Sequence, residues 1–472
     1  MPMEMMDEDP TALLPEIFLA VAAVLGLLLG SYLPRHRQWL VALLAAVACA
    51  GGIAATMLAG PTRTVFGGSY IIDVATNAGR LIVLISLVVA LFLSIDEFRG
   101  HPRESEYYVL TLLGALGTVI LTGANDLMLL MAGYLLASIP LYAVAGFAKD
   151  DPGTESALKY YLLGALLGVI MLGGVTVLFG AGGATAYPDL RSALSSASPA
   201  VVAIGLVAVL AGLLFKSGAV PVHFWVPDVT EGSRPPAAAF LTTIPKIGAL
   251  IAIYRLVSQG LPETGIDWPL VIAVIAAASM TVGNLAAFFQ DNVRRLLAYS
   301  TISQVGYLLM AVAVATRSDL ALPGLVFYLG AYALTNLGAF AVVCALPSAG
   351  NVTDYQGLIK TRPWLAASLV ICLLGLVGTP PTAVFVGKLT VFTAALDGGF
   401  TWLVVLAAVN TVTSLFYYLR WIVPAVRPSP APAATQVRWA AVGAYIAAVS
   451  ALVLGPLSDV VLRGLWLVGR GA

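Results

Sequence analysis

Residues 211–256 read AGLLFKSGAVPVHFWVPDVTEGSRPPAAAFLTTIPKIGALIAIYRL, and this stretch decides the fold. Two apolar runs, 200–221 and 236–257, meet here at a short polar elbow, and each carries one lysine, Lys216 and Lys246. A charged side chain near a bilayer centre costs roughly 2.5–3.5 kcal/mol on insertion scales, so two in succession require a purpose. Pro221 and Pro245 each remove a backbone donor and leave carbonyls free inside a helix. Lysines beside broken helices point to an ion path.

Outward from this stretch the chain is 60% hydrophobic and 10% charged, with apolar runs of about 20 residues recurring from end to end. That composition defines an all-α polytopic membrane protein. About fourteen spans are expected, near 11–32, 38–59, 78–98, 107–124, 126–147, 156–180, 200–221, 236–257, 269–290, 296–316, 320–346, 364–391, 400–423 and 439–461. The acidic start, MPMEMMDEDP, lacks the basic region and cleavage site of a signal peptide, so helix 1 is expected to be retained. Trp39, Trp268, Trp364, Trp402 and Trp439 open spans, Trp421 closes one, and Trp225 and Trp466 lie just past ends, which reads as interfacial anchoring. Linkers are short except 181–199, 347–363 and 424–438, so no soluble domain is expected.

One set of loops holds Arg35, Arg37, Arg99, Arg103, Lys149, Arg234, Arg294, Arg295, Lys360, Arg362, Arg427 and Arg438. The opposite set holds only Arg63, Arg191, Arg317, Arg463 and Arg470. The positive-inside rule then places the first set in the cytoplasm and both termini outside. Cys49, Cys344 and Cys372 are scattered through apolar runs and cannot form an iron–sulfur or zinc ligand set. No dinucleotide fingerprint follows a strand, so any redox chemistry is expected in partners, and no nucleic acid partner is expected.

A weak internal repeat is present. Asn125-Asp126 and Asp291-Asn292 each precede a helix with a serine, Ser138 and Ser303, offset by 165; Lys216 and Lys388 are offset by 172. Five spans per unit would make the two units inverted, a transporter pattern, with the second interruption at Gly378-Thr379-Pro380-Pro381. The expected organisation is 1–104 (helices 1–3), 105–258 (first inverted repeat, helices 4–8), 259–423 (second, helices 9–13) and 424–472 (helix 14).

The 24 basic residues are 18 arginines and 6 lysines, yet Lys159, Lys216, Lys246 and Lys388 fall inside spans. Arginine stays protonated almost always, whereas lysine gives up its proton readily on burial. A chain that keeps lysine for its helices is selecting a cation able to lose its proton, as a relay requires. The plainer reading has each lysine snorkel or pair structurally, and Lys159, one turn into its helix, suits it best. His223 follows Lys216 by two turns and would share its face if the helix continued. Glu16 suits an early helix position, Asp228 and Glu231 organise the elbow, Arg255 reads as snorkelling, and Arg294 and Arg295 as topology anchors.

With these residues in view, the chain resembles the antiporter-like subunits of respiratory complex I, and among them the subunit N type of bacterial NADH–quinone oxidoreductase. The resemblance rests on LLPEIFLA, EYYVLTLLGALG, ANDLMLL, SIPLYAVAGF, ESALKYYLLGA, FKSGAVPVHFWVPDVTEG, TVGNLAAFFQDNVRRLLAYSTIS, VGYLL, GTPPTAVFVGK and FYYLR, in order along most of the chain. The PDVTEG elbow and GNLAA favour subunit N over the L and M types and over Mrp-type Na⁺/H⁺ antiporter subunits. The resemblance implies proton relay through Lys216, Lys246 and Lys388, with Glu155 and Lys159 as a pair at the start of helix 6 and His223 as the helix 7 histidine. It also implies a membrane subunit of a redox-driven translocase in a bacterial inner membrane, without a redox centre of its own. Neighbours of subunit M and K type are then expected, with NADH, FMN, iron–sulfur clusters and quinone in partner subunits.

The sequence departs from the family pattern where a helix 5 glutamate is usual: Leu135 stands there, and no acid lies between Asp126 and Asp150. Asp126 and Glu155 are the candidate substitutes. Gln304 stands where a histidine is common and Arg294 where a lysine is usual. Two alternatives follow, a Na⁺/H⁺ antiporter subunit without redox partner and a structural subunit that has lost pumping.

Overall fold

The computed structural model describes residues 10–60, 62–261, 266–427 and 437–470, with side chains to residue 465. The expectations for residues 1–9, Trp466 and Arg470, and most of the linker 424–438, lie outside the described part. Helices α1 (Leu14–Tyr32), α2 (Trp39–Met57) and α3 (Val74–Phe98) come first, with a hairpin of β1 (Arg63–Val65) and β2 (Tyr70–Ile72) before α3. Next come α4 (Glu104–Gly123), α5 (Leu127–Leu136), α6 (Ile139–Ala145), α7 (Asp151–Gly182), α8 (Tyr187–Leu194), α9 (Pro199–Ser217), α10 (Trp225–Gly232) and α11 (Pro235–Arg255). The remainder is α12 (Trp268–Ala287), α13 (Val293–Ala313), α14 (Ala321–Ala345), α15 (Leu358–Thr361), α16 (Pro363–Val377), α17 (Ala383–Asp397), α18 (Thr401–Val426), α19 (Arg438–Val453) and α20 (Ser458–Arg470).

Among the described residues, 12 helices are long and apolar enough to cross a membrane, or 13 if the pair α19–α20, bent by 75°, is one span. The count of fourteen differs for a local reason. The run 364–391 is split into α16 and α17, each of 15 residues. Such a helix is about 22 Å long, short of a bilayer core about 30 Å thick. Helices α11, α13 and α14 are almost wholly buried, while α1, α2 and α7 turn leucines and valines outward, as a bilayer-facing ring does.

Two helix breaks share one pattern. Gly218 (φ +78°) ends α9, with the amides of Gly218 and Ala219 both donating to the Leu214 carbonyl. Gly378 (φ +88°) ends α16, with Gly378 and Thr379 donating to Leu374. Only glycine takes this left-handed turn without a Cβ penalty. Each break also contains a cis X–Pro bond, Val220–Pro221 and Pro380–Pro381. Asp126 and Asn292 form a second matched pair, each capping the helix after it through two backbone amides.

Several sequence expectations are corrected by packing. Trp225 and Trp421 are fully buried, not interfacial: Trp225 stacks on Tyr160 at 4.4 Å and Trp421 meets Tyr355 at 5.0 Å. Trp268 is buried as well, whereas Trp39, Trp364 and Trp402 are exposed as anchors should be. Arg255 does not snorkel; it is 2% exposed and makes a bidentate pair with Asp73 at 2.8 and 2.9 Å. Glu16 lies in the first turn of α1 and is also gripped by Arg80, through Nε and Nη2 at 2.8 Å each, with Tyr70 donating at 2.6 Å. The two ion pairs tie α1, α3 and α11 together.

Candidate functional site

Three lysines lie in the interior, Lys216 and Lys388 beside broken helices and Lys246 on α11, which runs unbroken through Pro245. Lys216 ends α9, two residues before the Gly218 turn, and is fully buried. Its Nζ donates to the Ala137 carbonyl at 3.0 Å and lies 5.3 and 5.7 Å from the ring centres of Tyr134 and Tyr160. Lys388, early in α17, reaches back to the end of α16, where its Nζ donates to Val377 at 2.9 Å and Leu376 at 3.3 Å. It also lies 4.1 Å over the Tyr307 ring. Both acceptor carbonyls are ones the break leaves without an amide partner. Lys246, mid-way along α11, is fully buried with no hydrogen-bond partner for its Nζ among the described residues. A Cβ on Gly218 would stand 3.3 Å from that Nζ, so the α9 break lets Lys246 approach the Lys216 segment.

Uncharged hydrogen-bonding groups line the interior between α11, which carries Lys246, and the α16 end that holds Lys388. One turn before Lys246, the Thr242 carbonyl accepts from Tyr332 Oη at 3.2 Å, and Tyr332 pairs with Thr301 Oγ1 at 2.8 Å. Thr243 accepts from Asn336 at 2.7 Å. One turn along α13 from Thr301, Gln304 accepts from Tyr328 at 2.5 Å and donates to Leu376 at 2.9 Å, the carbonyl that Lys388 also contacts. Each of these side chains is fully buried. The sequence reading missed this row, because threonine, tyrosine and glutamine in apolar helices carry no charge signal. Their recurrence every three or four residues on α13 and α14 was the available clue.

The remaining candidates lie elsewhere. Glu155 and Lys159 sit on a surface cleft of about 320 Å³ with Asp228, Glu231, Arg294 and Arg295. Lys159, its side chain 43% exposed, bridges Glu155 and Asp228 at 2.7 Å each. Arg295 bridges Asp228 and Glu231 at 2.9 Å each, so it is more than a topology anchor, and Arg294 donates to the Ser233 carbonyl at 2.7 Å. Burial opposes ionisation of Asp228, but Lys159 and Arg295 outweigh it and hold its carboxyl below the usual range. His223 is nearly buried in the turn beyond Gly218, its Nδ1 without a partner among the described residues. Because α9 stops at Ser217, His223 does not continue the Lys216 face. Neither candidate substitute carboxylate reaches Lys216: Asp126 caps α5 and Glu155 pairs with Lys159. No group of three or more metal-ligating side chains occurs among the described residues.

A helical membrane bundle with broken spans and buried lysines belongs to the ion-translocating, antiporter-type class. The family described as NADH:quinone oxidoreductase/Mrp antiporter, transmembrane, matches residues 124–414. The chain is 55% identical to NADH-quinone oxidoreductase subunit N 1 of Streptomyces griseus over 468 residues, covering 98% of this chain and 99% of that one. A chain of respiratory complex I from Thermus thermophilus with bound aureothin is similar with 31% identity and a TM-score of 0.81, over 96% of this chain and 99% of that one. A chain of the Mrp complex from Dietzia sp. superposes with a TM-score of 0.85 at 21% identity, over 97% and 96%, a likeness of fold alone. The chain therefore belongs to the NADH-quinone oxidoreductase subunit N family within the NADH:quinone oxidoreductase/Mrp antiporter class.

Proposed function

We propose that this chain is a proton-translocating, antiporter-like membrane subunit of a complex I-type NADH-quinone oxidoreductase, and that Lys216, Lys246 and Lys388 relay its protons. The observation that carries the reading is the arrangement of the three buried lysines. Lys216 and Lys388 are held by carbonyls at helix breaks, and Lys246, without a hydrogen-bond partner among the described residues, packs against the α9 break at Gly218. An amine without a fixed partner loses nothing by giving up its proton, so Lys246 is suited to pass it on. Under this reading Glu155, Lys159 and Asp228, joined by ion pairs on the surface cleft, are the charged mouth of the path, and His223, in the turn beyond Gly218, is its titratable neighbour.

Residues 105–258 and 259–423 form two inverted units under this reading, supported by the matched breaks and caps. The arginine-rich loops face the cytoplasm of a bacterium and both termini lie outside. Electron transfer, with NADH, FMN, iron–sulfur clusters and quinone, belongs to partner subunits, and membrane neighbours of M and K type flank the chain. The identity to subunit N over nearly the whole length favours this assembly over an Mrp-type antiporter. The test is Lys388→Met in the whole complex: NADH-driven proton uptake by inverted vesicles should fall to the uncoupled level, and uptake at the unmodified rate removes the relay.

A further inference from the structure

The absence of an acid at position 135 leaves open what stabilises a proton on Lys216. Leu135 itself is 40% exposed on the flank of α5, so a carboxylate carried there would start on the outer surface of the chain. Among the described residues, no carboxylate lies within ion-pair reach of Lys216. Three uncharged groups surround its Nζ instead.

The first is the Ala137 carbonyl, at 3.0 Å. It is free because α5 ends at Leu136 and Pro140 has no amide, while the next amide, Leu141, donates to Ser138 at 3.0 Å. Gly117 of α4 packs against this break so closely that a Cβ there would lie 2.2 Å from the Ala137 nitrogen, which fixes the carbonyl in place. The second and third are the faces of Tyr134 and Tyr160, both fully buried and within the roughly 6 Å range of cation–π attraction. Tyr160 is braced by Trp225, stacked at 4.4 Å, and by Tyr142, edge-on at 5.0 Å. Its hydroxyl has no hydrogen-bond partner among the described residues, so the ring is what it offers the lysine. Lys388 repeats the arrangement with two break carbonyls and the Tyr307 ring.

We propose that Tyr134 and Tyr160 are positioning residues that, with the Ala137 carbonyl, hold the protonated Lys216 ammonium in place of a helix 5 carboxylate. A ring face attracts a cation through its quadrupole, and the attraction grows where water is excluded. It has little hold on the neutral amine, so the box stabilises one protonation state of Lys216 selectively. It carries no net charge, so the proton leaves no buried anion behind when it moves on.

The inference rests on the relay reading above, and its test separates the two. Phenylalanine and then mono-, di- and trifluorophenylalanine are placed at position 160 in the complete complex, because successive fluorines drain the negative ring face at nearly constant shape. NADH-driven proton uptake per NADH oxidised is measured in inverted vesicles, normalised to complex content. Phenylalanine should support pumping, each fluorine should lower it stepwise, and the trifluoro ring should reduce it about tenfold. A flat series, or loss of pumping already at Tyr160→Phe, overturns the ring-face assignment. Lys216→Met is the companion variant. If it stops pumping while the fluorine series is flat, only the aromatic box falls; if it pumps normally, the relay reading fails and the box with it.

Discussion

Removing Asp73 tests how the helix that carries Lys246 is held. Asp73 accepts two hydrogen bonds from Arg255 at the end of α11 and also caps α3 by accepting from the Thr76 amide at 2.9 Å. In Asp73→Ala the Arg255 guanidinium, 2% exposed, keeps Thr76 Oγ1 and the Thr122 carbonyl but loses its counter-charge. Breaking a buried pair from one side costs about 3–5 kcal/mol, and losing the cap adds about 1, for a total of about 4–6 kcal/mol. Asp73→Asn keeps the cap oxygen and should cost about 1 kcal/mol less. Asp73→Ala with Arg255→Leu removes the stranded charge and should recover most of the loss. Cys49, Cys344 and Cys372 are all free and buried, so unfolding of the purified chain in mild detergent can be followed by their labelling with a fluorogenic maleimide. The pH dependence gives a second readout. Burial opposes ionisation of Asp73, yet Arg255 and the cap outweigh it, so its carboxyl titrates below the usual range. The stabilisation is therefore complete above about pH 4 and is lost as pH falls through the lowered value. A cost for Asp73→Ala below about 1 kcal/mol, or a double variant as unstable as the single one, would refute the reasoning.

Gly218→Ala should cost about 1–2 kcal/mol in left-handed strain, and its Cβ would press on Val226 at 2.8 Å and on Lys246 Nζ at 3.3 Å. Proton pumping should fall well beyond that of Gly67→Ala, a left-handed glycine with open space around it, and equal pumping by the two variants would count against the Lys246 placement. Gln304→Leu strands the buried Tyr328 hydroxyl at a cost of about 1–3 kcal/mol and breaks the link to the Leu376 carbonyl. Proton uptake should drop while the complex still assembles, and undiminished uptake would exclude Gln304 from the path. Asp228→Asn leaves Lys159 to Glu155 and Arg295 to Glu231, and these groups are partly exposed, so thermal stability should change by no more than about 1 kcal/mol. Because the Asp228 carboxyl is held low, its bridges are present at neutral pH and are lost only as acid protonates it; thermal scans of both proteins across the acid range check this.

The sequence by itself determined that this is a helical membrane bundle, where its two principal breaks fall, and that lysines are spent in its helices. Those features are local: an apolar run long enough for a bilayer, a glycine and a proline that stop a helix, and a charge too costly to bury without purpose. It located the interruption inside the 364–391 run but counted the run as one span, because Gly378 and two prolines can kink a span as well as divide it. Partners were beyond its reach. Lys159 and Lys216 look alike on helices, yet one faces a surface cleft and the other an aromatic box. Arg255 meets Asp73 across 182 residues, and Lys216 meets the Ala137 carbonyl across 79. Burial and pairing depend on which helices pack and how each is rotated, and only the tertiary structure decides that. It is therefore the packing that holds Lys216 and Lys388 on break carbonyls and leaves Lys246 without a hydrogen-bond partner among the described residues.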